Sequence, residues 1–119
     1  AIVCQMDLMA SLGKLVGMDE NTTDSQNLLA TFLGESKTGR DHLIIEANSH
    51  TALRSGDWMM IPPYKGNPMN TKVNTETGIS LEYQLYNVSN DKGQQKNLAT
   101  QNLQKLKELT AIFDHLRKE

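Results

Sequence analysis

Cysteine is almost absent from this chain, and so are most features that announce a chemistry. Cys4 stands alone among 119 residues, which excludes an internal disulfide and a cysteine-based zinc site. Aromatic residues amount to 5%, too few for a surface on which nucleic-acid bases would stack. Positive charge is not in excess: 12 Lys plus Arg face 14 Asp plus Glu, a net charge of −2, where a nucleic-acid binder would show a basic face. No apolar run approaches the ~20 residues needed to cross a bilayer, so neither nucleic acid nor membrane is expected as a partner. Uncharged apolar pieces such as Leu43 to Ile45 and Trp58 to Ile61 have strand length. Ala1 to Ala10 lacks the charged start and apolar core of a secretory leader, and position 1 is not Met. The expectation is a chain that begins inside a longer protein.

What is present is a globular pattern, 38% apolar with a mean hydropathy of −0.50, and room for one domain. Val3, Met6, Met9 or Ala10, Leu12 and Val16 recur at helical intervals, predicting an amphipathic helix from Ile2 to Val16 that stops at Gly17. Asn27 to Gly34 reads as a helix of two turns at most, closed by glycine. "HLIIEA" reads as a strand, with Leu43, Ile45 and Ala47 on one face and Ile44 on the other, so both faces should be partly covered. Ala52 to Arg54 and Trp58 to Ile61 form the arms of a hairpin about Ser55-Gly56-Asp57, and Pro62-Pro63 ends the second arm. Tyr64 to Ser80 reads as a long loop, and "EYQLYNV" as one more strand. From Leu98, the positions Leu103, Leu106, Leu109, Ile112 or Phe113, and Leu116 predict a terminal helix of about five turns. This order implies an α+β fold: an antiparallel sheet of about four strands, a long C-terminal helix packed across it, and helical segments before it. Trp58, Met60 and Leu85 are the candidates for the sheet face beneath that helix.

No catalytic or metal site emerges from the residues alone. His42, His50 and His115 stand far apart in sequence, without a Cys or His at ligand spacing. His42 reads as a polar strand start and His115 as a solvated helix residue. His50 lies in "EANSHT", a connection between strands, and connections carry function more often than strands do. Cys4, on an apolar helical stretch, reads as an inert thiol. Asp7, Asp19, Glu20 and Asp24 lack calcium-loop spacing, and "LGESKTGR" lacks the Gly-Lys-[Ser/Thr] of a phosphate loop.

Four stretches in order resemble the C-terminal part of the sulfatase (arylsulfatase) family of the alkaline-phosphatase-like superfamily. "QMDLMASLGKLVG" is similar to a helix of the form D-l-x-x-[ST]-l-x-x-l-x-G, through Asp7, Leu8, Ser11, Leu12, Leu15 and Gly17. "DSQNLLATFLGESKTGRDHLIIEA" resembles the segment leading through L-x-G to R-[DE]-x-l and a strand, through Asp24, Ser25, Leu29, Leu33, Gly34, Arg40 and Asp41. "ALRSGDWMMI" resembles a-[VI]-R-x-G-[DN]-W-K-[LY]-I, and "QLYNVSNDKGQQKNLA" resembles x-L-Y-[DN]-L-x-x-D-P-x-E-x-x-N-L-A. Met59, Lys92 and Gln94 depart from the pattern, standing for its Lys, Pro and Glu.

The resemblance implies a single domain over 1–119, with 1–40 a helical lead-in from a larger domain and 41–119 the sheet and terminal helix. It implies that the parent protein is a bacterial sulfuric ester hydrolase, periplasmic or secreted, acting on a sulfated small molecule or glycan with calcium and formylglycine. The formylglycine motif [CS]-x-P-x-R is not found around Cys4, so catalytic residues and cofactors are expected in the N-terminal catalytic domain, the implied partner of this chain. This chain would complete the fold and the rim of the substrate cleft, with Asn48, Ser49, His50 and Lys65 as candidate rim residues. Without that domain, Val3, Met6, Met9 and Ile44 are expected on an exposed apolar patch, with self-association as one outcome. A free-standing α+β binding or assembly module and an inactive sulfatase-like protein remain the alternatives.

Overall fold

A computed structural model describes residues 1–18, 24–47 and 50–118. The chain divides into two compact units, Ala1–His42 and Leu43–Glu119.

The first unit holds helix α1, Asp7–Leu15, and a single helical turn α2, Leu29–Phe32. α1 begins at Asp7 rather than Ile2 because the preceding backbone is otherwise engaged. Ile2 O accepts the Arg40 N–H at 2.8 Å, and the Cys4 N–H donates to Asp7 Oδ2 at 3.0 Å. Ile2 lies so close to Gly39 that any side chain at 39 would overlap its carbonyl oxygen. α1 ends with Gly17 at φ +81° and the Met18 N–H on Gly13 O at 2.9 Å, a left-handed stop that satisfies the last carbonyls. α2 is one turn, within the two-turn limit expected, and the Leu28 N–H just before it donates to Ser11 Oγ at 2.9 Å.

A buried ion pair organises this unit. Asp7 has 0% exposure and takes Arg40 Nη2 at 2.5 Å, Arg40 Nε at 2.9 Å, and the Gln26 N–H at 3.1 Å. The Cys4 thiol donates to Asp7 Oδ2 at 3.3 Å, and Arg40 Nη2 also donates to Asp24 O. Ser25 Oγ donates to Met6 O at 2.7 Å and accepts the Ala10 N–H at 2.9 Å. Burial alone would raise the Asp7 pKa; the Arg40 guanidinium and the Cys4 and Gln26 N–H groups outweigh it and hold the carboxyl well below the usual carboxylate range. α1 therefore buries Asp7, Ala10 and Ser11 while its large apolar side chains are exposed.

In the second unit the sheet order is β1-β2-β3-β6, built from β1 His42–Ala47, β2 His50–Ser55, β3 Trp58–Ile61 and β6 Gln84–Asn87. β2 and β3 pair antiparallel about Gly56-Asp57, with Gly56 at φ +51°, the backbone that glycine supplies in a two-residue hairpin. The second hairpin arm is central, as its apolar content predicts. Leu53, Met60 and Leu85 lie opposite one another in a single row across three strands, and each is fully buried. Ala99, Leu109 and Phe113 close over that row, with Trp58, Tyr83 and Leu106 packed around it. Helix α3, Leu103–Leu116, supplies Leu109 and Phe113 and packs on β2 and β3.

Three expectations need correction here. Ile44 is not on an exposed patch: it packs against the core while Ile45 is exposed, so β1 turns its even-numbered face inward. α3 starts at Leu103 rather than near Leu98 because the Leu98 N–H is bound to Leu85 O at 2.7 Å; Leu103 itself is exposed. The Tyr64 to Ser80 loop folds back on itself as two short antiparallel strands, β4 Met69–Asn70 and β5 Thr75–Glu76. Val3, Met6 and Met9 are exposed as expected.

The matched C-terminal motif is structural. Asp91 accepts the Lys96 N–H at 2.8 Å and the Gln95 N–H at 3.0 Å, and these bonds lower its pKa. Asn97 Oδ1 accepts the Leu85 N–H, and its amide donates to Tyr83 O, both at 3.0 Å. Residues 97 and 98 thereby cover the edge of β6, which would otherwise offer unpaired backbone groups. Gln94, at the family's Glu position, adopts φ +51°.

Met60→Ala is expected to cost about 2–5 kcal/mol, and Trp58→Ala, whose ring is only part-buried, less than the ~3–5 kcal/mol of a fully buried aromatic. A urea midpoint for Met60→Ala equal to that of a surface Lys→Ala control would contradict the central row. The Asp7 pair gives a second expectation. Its pKa lies below the free value of ~3.9, so its stabilisation is complete above that pH and is lost as pH falls toward the folded value. Hydrogen-exchange protection at Ala10 and Leu28 should fall below about pH 4. In Asp7→Asn, which leaves Arg40 buried and unpaired at a cost of about 3–5 kcal/mol, protection should be low throughout. A wild-type profile that stays flat into strong acid would refute this.

Candidate functional site

The candidate rim residues lie around the start of β2. Asn48 and Ser49 fall outside the described residues. His50 opens β2, half-buried, and its ring meets Tyr64 edge-on, centroids 4.4 Å apart at 80°. Lys65 follows Tyr64 and is exposed, so the structure brings His50 and the backbone carrying Lys65 together through Tyr64.

Tyr64 is the residue that sequence reasoning missed. Pro62-Pro63 ends β3, and the chain then turns Tyr64 back onto β2. Its hydroxyl accepts the Thr51 N–H at 2.9 Å and donates to Thr51 O at 2.8 Å. With the phenol proton placed on Thr51 O, the Thr51 hydroxyl at 2.9 Å is the donor in the third contact. The Tyr64 N–H bonds Ser80 O at 2.8 Å, closing the base of the 64–80 loop. An aromatic directly after a proline pair was the available signal.

Beside this contact lies a hollow of about 160 Å3, walled by Ile45, Ile61 and Ile79, with His50, Thr51 and Tyr64 as its polar part. Such a surface suits binding more than bond breaking: apolar walls with a few fixed polar groups orient a ligand. A larger open hollow of about 390 Å3 in the first unit, edged by Lys14, α2 and Glu35, contains none of the candidate residues. Cys4 is followed by Gln5, Met6 and Asp7, and its thiol is engaged by Asp7. Among the described residues, no three His, Cys, Asp or Glu side chains gather as a calcium site requires. Likewise, no helix among them is long and apolar enough to cross a membrane.

No protein-family model matches the chain. Among curated proteins it is similar to the N-acetylgalactosamine-6-O-sulfatase of Bacteroides thetaiotaomicron, 28% identical over 121 residues, covering 98% of this chain and 24% of that enzyme. Among solved structures it superposes on a sulfatase from work on the metabolism of multiple glycosaminoglycans by the same organism. There the TM-score is 0.85 and the identity 27%, over 95% of this chain and 24% of that chain. The chain thus spans about a quarter of the length of these relatives. Fold, motif order and both likenesses agree: over nearly its whole length the chain is similar to part of known sulfatases, in keeping with a C-terminal sulfatase subdomain.

Tyr64→Phe removes the hydroxyl that holds three Thr51 groups. It should destabilise the second unit by about 1–3 kcal/mol and raise the exchange rate of the Thr51 amide. An unchanged Thr51 amide would show that the anchor is not made in solution.

Proposed function

We propose that this chain completes a bacterial sulfuric ester hydrolase acting outside the cytoplasm, in the periplasm or after secretion, and that it supplies part of the substrate-cleft rim. The observation that carries the reading is the co-linear likeness over 98% of the chain to an enzyme named for cleaving a 6-O-sulfate from N-acetylgalactosamine. The substrate class that follows is a sulfated amino sugar, free or within a glycan. Formylglycine and calcium, in the family's remaining part, supply the nucleophile and the charge that holds the sulfate oxygens. The chain's own residues bind and orient. Lys65 offers a mobile cation to a sulfate or carboxylate, His50 and Tyr64 offer ring edges and faces to a sugar, and Asn48 and Ser49 offer hydrogen bonds to its hydroxyls. Tyr64 fixes His50 by direct ring contact, so the rim has a rigid footing.

The longer gene product should contain [CS]-x-P-x-R ahead of Ala1 and desulfate an N-acetylgalactosamine 6-sulfate, while the 119-residue chain alone turns over no aryl sulfate. In the longer protein, Lys65→Ala and His50→Ala should each raise KM about tenfold, or ~1.4 kcal/mol of binding, with kcat little changed. Turnover by the isolated chain, or a gene that starts at this chain, would overturn the reading in favour of a free-standing module. An intact upstream motif without turnover would favour the inactive sulfatase-like protein.

A further inference from the structure

The sheet face turned away from α3 carries a hollow instead of a packed layer. Leu53 and Met60 lie in the core and Ile44 packs against it. Side chains alternate along a strand, so their neighbours Ala52, Ile61 and Ile45 belong to the opposite face. β2 runs between β1 and β3, and its small Ala52 leaves a gap between the two isoleucines. The hollow of about 160 Å3 lies against these three residues. Ile79, from the 64–80 loop, forms its outer wall and is held from several sides. The Ile79 N–H donates to Thr77 Oγ1 at 3.3 Å, and Gln84 Nε2 donates to the neighbouring Gly78 O at 2.8 Å. Gly66 leaves room for it, since a Cβ at 66 would stand 3.0 Å from Ile79 Cδ1. Ile45 and Ala47 are exposed, so the hollow opens to solvent along β1.

We propose that this hollow is an acetamido subsite, taking the acetyl methyl of an N-acetylhexosamine 6-sulfate, with Ala52 and Ile79 determining that preference. The proposal rests on the sulfatase reading and deepens it by naming which substituent of the sugar this chain reads. Charge, size and polarity select the group. No Lys, Arg, Asp or Glu side chain lines the hollow, so a sulfate or carboxylate would enter it without a counter-charge. Its volume is close to the roughly 150 Å3 of an apolar cavity that holds benzene. An acetamido group is smaller than benzene and fits; a whole sugar ring is larger and stays outside. The hydroxyls of Thr51, Tyr64 and Thr77 are committed to one another and to backbone groups. The His50 imidazole is therefore the polar side chain of the wall that meets the amide, donating to its carbonyl or accepting its N–H. The sugar in the relative's name offers hydroxyls, a sulfate and an acetamido group. Of these, only the acetamido joins a methyl to an amide.

Isoleucine-methyl NMR and steady-state kinetics on the longer gene product test this. With saturating N-acetylgalactosamine, the acetyl methyl should give NOEs to Ile61 and Ile79. In turnover, N-acetylgalactosamine 6-sulfate is compared with galactose 6-sulfate, which differs from it only in the substituent at C2. The kcat/KM ratio should favour the N-acetyl sugar by at least about tenfold. Ala52→Val places two further methyl groups in the hollow. The preference should then fall close to unity, chiefly through KM, while the urea midpoint holds or rises because empty space is filled. An unmodified protein without an acetyl NOE to either isoleucine overturns the proposal, and so does an Ala52→Val variant that keeps the preference. If the variant does not fold, the NOE decides alone. Turnover keeps the two readings apart. A protein that hydrolyses both esters equally and shows no NOE refutes the subsite alone, and one that hydrolyses neither but shows the NOE refutes the activity alone.

Discussion

The Asp7–Arg40 pair decides which way the first helix faces, and the character of the first unit follows from that. A carboxylate without exposed surface is tolerable only when its lone pairs are filled, and Asp7 gathers Arg40, Cys4 and Gln26 around it. A buried ion pair is weak evidence for stability, since desolvation offsets much of its attraction. Its value here is directional. It ties α1 to the segment ending at Arg40, thirty-three positions away, and turns five apolar side chains to an exposed face. Substituting both partners by apolar residues of similar shape would leave stability nearly unchanged and remove the reason for that orientation.

The second unit obeys a different constraint, a row of three apolar residues across three strands. Leu53, Met60 and Leu85 oppose one another because the Gly56-Asp57 turn sets the β2–β3 register, and a shift by one residue would turn all three to the other face. α3 covers the row and the Asn97–Leu98 segment covers the β6 edge, so both are closed by packed residues. The start of β2 and the 64–80 loop meet through Thr51 and Tyr64.

Much of this was legible in the residues, and the failures share a physical cause. Period and punctuation were legible: glycines at the ends of α1 and of the α2 turn, Ser-Gly-Asp at the hairpin, and the three-four spacing of α3 all appear where the sequence puts them. Direction was not, because periodicity locates a stripe without saying which stripe is buried. Only a partner thirty-three residues away makes Asp7 and Ser11 the inner face of α1. Helix starts failed likewise, at Asp7 and Leu103, where upstream backbone groups were already bonded to Arg40 and Leu85. The two-residue strands β4 and β5 are too short to leave a period. Of the site, His50 was visible as a polar residue in a connection. Tyr64 was hidden inside what read as a structureless loop.

A subdomain outside the catalytic part of an enzyme would still bear on the reaction through position. A rim group acts only if it stands at a fixed distance from the reacting centre, and small misplacements are costly in rate. Two requirements follow for such a piece: a surface that fixes it to the catalytic part, and loops that do not shift on their own scaffold. The first unit meets the one with an outward apolar helix whose orientation is locked by an ion pair. The second meets the other with a phenol hydrogen-bonded to three groups of a single strand residue. The first of these devices joins hidden polar groups to exposed apolar ones, the reverse of the usual arrangement in a self-sufficient domain. That inversion supports the proposal that the chain works as part of a larger protein.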